Sequence, residues 1–147
     1  MATTSGVYPC YENQFQVKTG STGQDTDWSN IADCESFDVT FDNGIQEWYP
    51  FSEEGWVRRL QTAKSITISV SAKRNIGDTG NDFIAALAWE NGRDVEGDFK
   101  WTFPDGGTVT FSDAVISVTN AGAGASIDVA PLEFEVQSNG KPTYVPA

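Results

Sequence analysis

The feature that most constrains this chain is an alternation of apolar and polar residues with a period of two, repeated along its length. Ile66, Ile68, Val70 and Ala72 alternate with Thr67, Ser69 and Ser71; Phe37, Val39 and Phe41 alternate with Asp38, Thr40 and Asp42; Phe99, Trp101 and Phe103 alternate with Lys100 and Thr102. Successive side chains of a strand point to opposite faces, so each stretch predicts a strand with one face buried and the other wet. Ile127, Val129, Leu132, Phe134 and Val136 predict a last strand, in which Pro131 shifts the phase by one residue as an edge bulge would.

The intervening segments supply turns and one helix. Residues 7–18 predict a further strand, followed by a loop over 19–29 rich in Gly, Ser, Thr and Asp. Asp105-Gly106-Gly107 predicts a hairpin turn into a return strand over 108–111 and 115–119, with a Gly/Ala-rich loop over 120–126 after it. Ala85, Ala86, Leu87 and Ala88 favour helix, which predicts one over about 80–91, capped by Asn81-Asp82 and ended by Asn91-Gly92. That helix has no polar stripe, so it is expected to bury one side on its own sheet, with the other facing solvent through Ala or meeting a neighbouring subunit. About seven strands and one helix predict a mainly β domain over 1–147, an antiparallel β-sandwich or flattened barrel with the helix at one end.

Charge narrows the chemistry. Nine Lys and Arg stand against 21 Asp and Glu, a formal charge of −12, and there is no His. A Ser-His-Asp or Cys-His catalytic set and a His-containing zinc site are therefore excluded, and a surface this acidic repels nucleic acid rather than gripping it. Glu133 with Glu135, or Glu53 with Glu54, could be drawn as an acid/base pair, but alternation with Leu132, Phe134 and Val136 makes the former a solvated strand face. The turn 78–82 has carboxylates without the spaced ligands and closing Glu of an EF-hand. No enzyme, metal or cofactor is expected. Cys10 and Cys34 fall in predicted strands, where thiols act as small hydrophobes. No signal peptide, sequon or run of ~18 apolar residues is found, which points to synthesis in a reducing cytoplasm with no membrane partner.

Residues 43–62 are anomalous. Trp48, Tyr49, Pro50, Phe51, Trp56 and Val57 crowd a stretch whose Gly44, Pro50 and Gly55 predict an irregular loop. Loops ordinarily present polar groups. These rings either fold back on the core as a lid or reach a partner, and Arg58 and Arg59 beside them could meet acidic residues across an interface.

Several motifs together resemble one family. They are Glu47-Trp48, Glu54-Gly55-Trp56-Val57-Arg58-Arg59, a strand ending Ala72-Lys73-Arg74-Asn75, Gly77-Asp78, Gly80-Asn81-Asp82, Trp101-Thr102-Phe103-Pro104-Asp105-Gly106 and Ser138-Asn139-Gly140-Lys141-Pro142, spread over residues 31–143. In this combination the chain resembles the tail tube proteins of tailed phages and prophages of Gram-positive bacteria; the arm 1–30 matches less well. The resemblance implies a β-sandwich with a flanking helix, hexameric rings stacked into a tube, and strands of adjacent subunits joined into an inner barrel through which DNA passes. It also implies a tape-measure protein in the lumen, terminator and baseplate partners, and a long loop reaching neighbouring subunits. That loop is 43–62, so Trp48, Tyr49, Phe51, Trp56, Val57, Arg58 and Arg59 become the candidate oligomer interface, with 138–147 a short tail. A carbohydrate-binding β-sandwich using surface aromatics is the alternative.

Overall fold

The computed structural model describes residues 6–20 and 27–147. Their strands are β1 (Gln14–Lys18), β2 (Trp28–Asn30), β3 (Cys34–Trp48), β4 (Arg58–Lys73), β5 (Glu96–Thr102), β6 (Thr108–Ala121), β7 (Pro131–Gln137) and β8 (Thr143–Val145), with one helix, α1 (Thr79–Ala86), between β4 and β5. The strands form one antiparallel sheet in the order β2-β1-β5-β6-β7-β4-β3, and β8 pairs with β6. The mainly β class and the single helix agree with the alternation.

The sheet curls over itself, and β6 is where it turns the corner. Its first half pairs with β5 and its second with β7. Between them the register with β5 shifts at Gly97/Phe99 and Asp113 adopts φ 53°, a local bulge that bends the strand. The Asp98 carboxylate accepts the Asp113 N–H at 2.9 Å and fixes the bend. The two halves of the sheet then face each other across a core of Val17, Phe99, Phe111, Ile68, Phe134 and Ile116, each at most 1% exposed. Phe15 on β1 meets Phe37 on β3 edge to face at 4.8 Å between centroids, although β1 and β3 lie near opposite ends of the strand order. Ring packing rather than hydrogen bonding brings these margins together. Along the seam runs a cleft of about 570 Å³ lined by residues that include Cys10, Tyr11, Phe15, Cys34 and Phe37.

Helix α1 begins one residue before the predicted start and ends at Ala86, with a 3₁₀ turn over Leu87–Trp89. Its cap is Asp78, whose carboxylate accepts the Asn81 N–H at 3.0 Å, not Asn81-Asp82. Asn81 is instead fully buried. Its Oδ1 accepts from Arg74 Nη1 at 2.9 Å and the Asn75 N–H at 3.0 Å, while its Nδ2 donates to the Ala32 and Lys73 carbonyls at 3.2 and 2.8 Å. One side chain thus ties α1, the end of β4 and the approach to β3 together. Gly80 is needed beside it, because a Cβ there would overlap the Asn30 carbonyl. The Arg74 guanidinium, 2.7 Å from Asp82, holds that exposed carboxyl below its ordinary range. This contribution is present above the unfolded carboxylate pKa and is lost as pH falls through the lower folded value. Ile84, Ala85 and Leu87 are buried, whereas Trp89 is exposed.

Four predicted features differ. Residues 10–12 form a 3₁₀ turn because Pro9 precedes them, so Cys10 is exposed and not in a strand; only Gln14–Lys18 pairs. Ile127 and Val129 lie outside β7, which starts at Pro131, and both are exposed. The tail contributes β8. Of the predicted loop 19–29, residues 21–26 lie outside the described residues, and Trp28 and Ser29 belong to β2.

Replacing Asn81 by Leu strands one guanidinium donor, one backbone N–H and two carbonyls in a buried place, and is expected to cost about 3 kcal/mol, read from urea unfolding; a change below about 0.5 kcal/mol would show that the clamp is dispensable. Both cysteines are free, and burial, with the Asp33 and Asp78 charges added, pushes the Cys34 thiol up to about 12. At pH 8, mass spectrometry should therefore find Cys10 alkylated by iodoacetamide more than roughly a hundredfold faster than Cys34. Equal rates would contradict the burial.

Candidate assembly surface

The segment 43–62 is not an irregular loop. The β3–β4 pairing continues from Asp42↔Ser65 to Trp48↔Arg58, with one register shift at Gly44/Ile45 that absorbs the extra residue. Gly44 was expected to prevent regular structure, and a bulge accommodates it. The irregular part is short. After Pro50 a 3₁₀ turn spans Phe51–Glu53, then Glu54 (φ 52°) and Gly55 (φ 91°) reverse the chain, and the Trp56 N–H donates to the Glu53 carbonyl at 3.0 Å.

β7 pairs with β4 only over 67–73, and the last bonds on that side join Ile66 to Ser138, at 2.9 and 3.0 Å. Beyond this point β3 and β4 leave the sheet as a two-stranded ribbon. Such a ribbon is marginal alone. Cross-strand pairs brace it: Arg59 Nε donates to Glu47 Oε1 at 3.1 Å, Arg58 lies over the Trp48 ring at 6.0 Å, and Lys64 over Phe41 at 5.0 Å. The ion pair is exposed and contributes at most about 1 kcal/mol.

All seven predicted interface residues gather at the free end of this ribbon. Trp48, Tyr49, Phe51 and Trp56 are exposed, Phe51 completely and Trp56 by 76%. They do not fold back as a lid. Val57 is half-buried. Of the two arginines, Arg59 is turned toward Glu47 and Arg58 makes no ion pair among the described residues. Phe41, which the alternation placed with Phe37 and Val39 on a buried face, is exposed because no strand other than β4 lies beside it there, and Ile45 and Leu60, which the patterning did not single out, are exposed on the ribbon shaft. The pairs Gln46↔Leu60 and Trp48↔Arg58 are two residues apart, which puts Leu60 on the same face as Trp48. The signal of Ile45 and Leu60 is the continued β3–β4 pairing past Asp42, which the register shift at Gly44 interrupts. Apolar exposure on this scale at one projection is characteristic of an interaction surface.

A second surface is polar. The register aligns Asp38, Ser69, Glu135 and Ser117 in one row across β3, β4, β7 and β6, and Ser36, Ser71, Glu133 and Asn120 in the next. Neither row holds a cation. Glu133 and Glu135 thus share the outward face as the alternation predicts, with Leu132, Phe134 and Val136 buried behind them. Asp78 and Asp82 are occupied by the helix cap and Arg74, and among the described residues no cluster of three metal-ligating side chains occurs.

No protein-family model and no curated protein matches the sequence. Solved structures do. The chain superposes on one from the tail of an empty gene transfer agent particle, refined helically with C6 symmetry, with a TM-score of 0.72, 18% identity and coverage of 95% of this chain and 99% of that one. A chain from the virion of the native gene transfer agent gives 0.70 at 17% identity, covering 95% and 99%. One from the sheath–tube complex of an extended extracellular contractile injection system gives 0.58 at 16%, covering 95% and 91%. The chain therefore has the fold found in the tails of gene transfer agents and in contractile injection systems.

Proposed function

We propose that this chain is a structural subunit of the tail tube of a bacteriophage or phage-tail-like particle, with no catalytic role. The observation that carries this is the near-complete superposition on a chain from a gene transfer agent tail, end to end in both chains. The C6 symmetry of that tail supports hexameric rings here, stacked into a tube. The narrower affinity to phages of Gram-positive hosts rests on the sequence motifs alone. The subunit would be made in the host cytoplasm and reside in the virion tail. Its partners are copies of itself, a tape-measure protein, and terminator and baseplate proteins; similarity to a sheath/tube terminator and a tube-terminating cap fits such company.

The physics of assembly follows from two features. β3 is a 15-residue edge strand bonded to β4 on one side only, and an open edge of that length is stable when a neighbour's strand covers it. The ribbon supplies apolar area, and Arg58 a cation, to a subunit of charge −12 that must approach its own copies. The face bearing Asp38, Glu133 and Glu135 suits a lumen wall, because a wall that repels phosphate lets DNA slide without stalling. A carbohydrate-binding role is the competing class, but the exposed rings lie on a projection rather than a sugar-sized concavity.

Negative-stain microscopy of the concentrated protein should show rings or tubes; uniform monomers that bind polysaccharide would refute the proposal. Trp48→Ala and Trp56→Ala should each leave a folded monomer by circular dichroism and light scattering that no longer polymerises. Normal tubes from both would remove the ribbon from the interface. In assembled tubes, Glu133→Lys with Glu135→Lys should retain labelled short duplex DNA at low salt, while the corresponding Gln pair and the parent do not. Equal retention by all three would place those carboxylates elsewhere.

A further inference from the structure

Beyond the last bond to β7, the β3–β4 ribbon is regular for three pairs, Asp42↔Ser65, Asn43↔Lys64 and Gly44↔Ala63, and then its register jumps to Ile45↔Gln61. Thr62 is the residue left over, so β4 carries a bulge there and β3 does not. The two strands also approach closely. A Cβ built on Gly44 would lie 2.8 Å from the Ala63 Cβ, whereas directly opposed residues ordinarily keep their Cβ atoms about 4.5–5.5 Å apart. A bulge bends its strand and adds right-handed twist, and the missing side chain at Gly44 leaves room for the strands to close up on that bend.

The bend matters because of the face that the apolar side chains occupy. Opposed residues of a pair share a face and side chains alternate along β3, so Asp38, Thr40 and Asp42 are followed on the same side by Gln46 and Trp48, with Leu60 and Arg58 opposite them. The cross-strand contacts agree: Arg58 lies over Trp48, and Arg59 reaches Glu47 on the other side. A straight ribbon would therefore extend the polar wall of Asp38, Glu133 and Glu135 with an apolar strip of Trp48 and Leu60, both exposed. In that plane the strip would stand in a wet lumen instead of against another subunit.

We propose that Gly44, Ala63 and the surplus residue Thr62 form the joint that aims the ribbon, turning the Trp48 and Leu60 strip out of the plane of the acidic wall and onto a second copy of the chain. All three are positioning residues: they act through the direction given to the side chains beyond them. This rests on the tail tube proposal and assigns the direction of its ribbon to one close pair and one extra residue.

Three full-length variants test the joint, read by the concentration required for tubes and by urea unfolding, which reports the core. Deletion of Thr62 leaves every pair in place, because Gln61 then follows Ala63 and still meets Ile45; only the bend is lost. It should keep the parental urea midpoint yet raise the concentration required for tubes by roughly a hundredfold. A role confined to holding the ladder together would not suffer from this deletion, which makes the pairing regular. Gly44→Ala forces the strands apart and should raise that concentration by roughly tenfold. Adding Ala63→Gly to it removes the clashing methyl and leaves only the residue 63 Cα and N, at 3.7 and 3.8 Å, so the double variant should assemble within about twofold of the parent. Tubes from the deletion variant at the parental concentration, or a double variant as impaired as Gly44→Ala, would overturn the joint while leaving the tail tube proposal intact as long as the parent polymerises. A parent that forms no tubes would sink both.

Discussion

The architecture depends on a mismatch in strand length. β4 has 16 residues and β3 has 15, yet β7 has seven, so the sheet covers only the far half of the β3–β4 hairpin. Hydrogen bonding between β3 and β4 persists past the last β7 pair, because antiparallel bonding requires only one partner strand. The surplus becomes the ribbon. A backbone that is satisfied yet unburied can project from a domain without core of its own, and its apolar side chains are then left exposed.

The rest of the fold keeps that projection anchored. β4 passes from the ribbon into the core, where Ile68 and Val70 are buried, and ends at the Asn81 clamp that secures α1. Clamp and ribbon lie at opposite ends of one continuous strand, paired with β3 from Arg58 to Ala72.

Much of this was legible in the residues. Strict alternation identified β3, β4, β5 and β7 and the wet face of Glu133 and Glu135, since the strand period leaves little freedom about which side chains turn inward. The candidate interface was found because rings at Trp48, Phe51 and Trp56 are anomalous in a predicted loop. The misreadings share a cause. Gly44, Pro50 and Gly55 are local breakers, but a bulge absorbs one and a short turn the others, so the strands on either side survive. Asn81 looked like a helix cap because its side chain suits caps; its burial among four partners comes from segments up to 49 residues away in sequence.

The sequence by itself determined the β character of the chain, the exclusion of His-dependent chemistry and the surplus of aromatic residues near the middle, because these follow from residue type and from a backbone period that needs no partner. Only the tertiary structure decided that β7 stops where the ribbon begins and that Ile127 and Val129 leave the last strand. Those facts depend on which strands pair and where pairing ends, and such choices are made by long-range packing that no local window of residues contains.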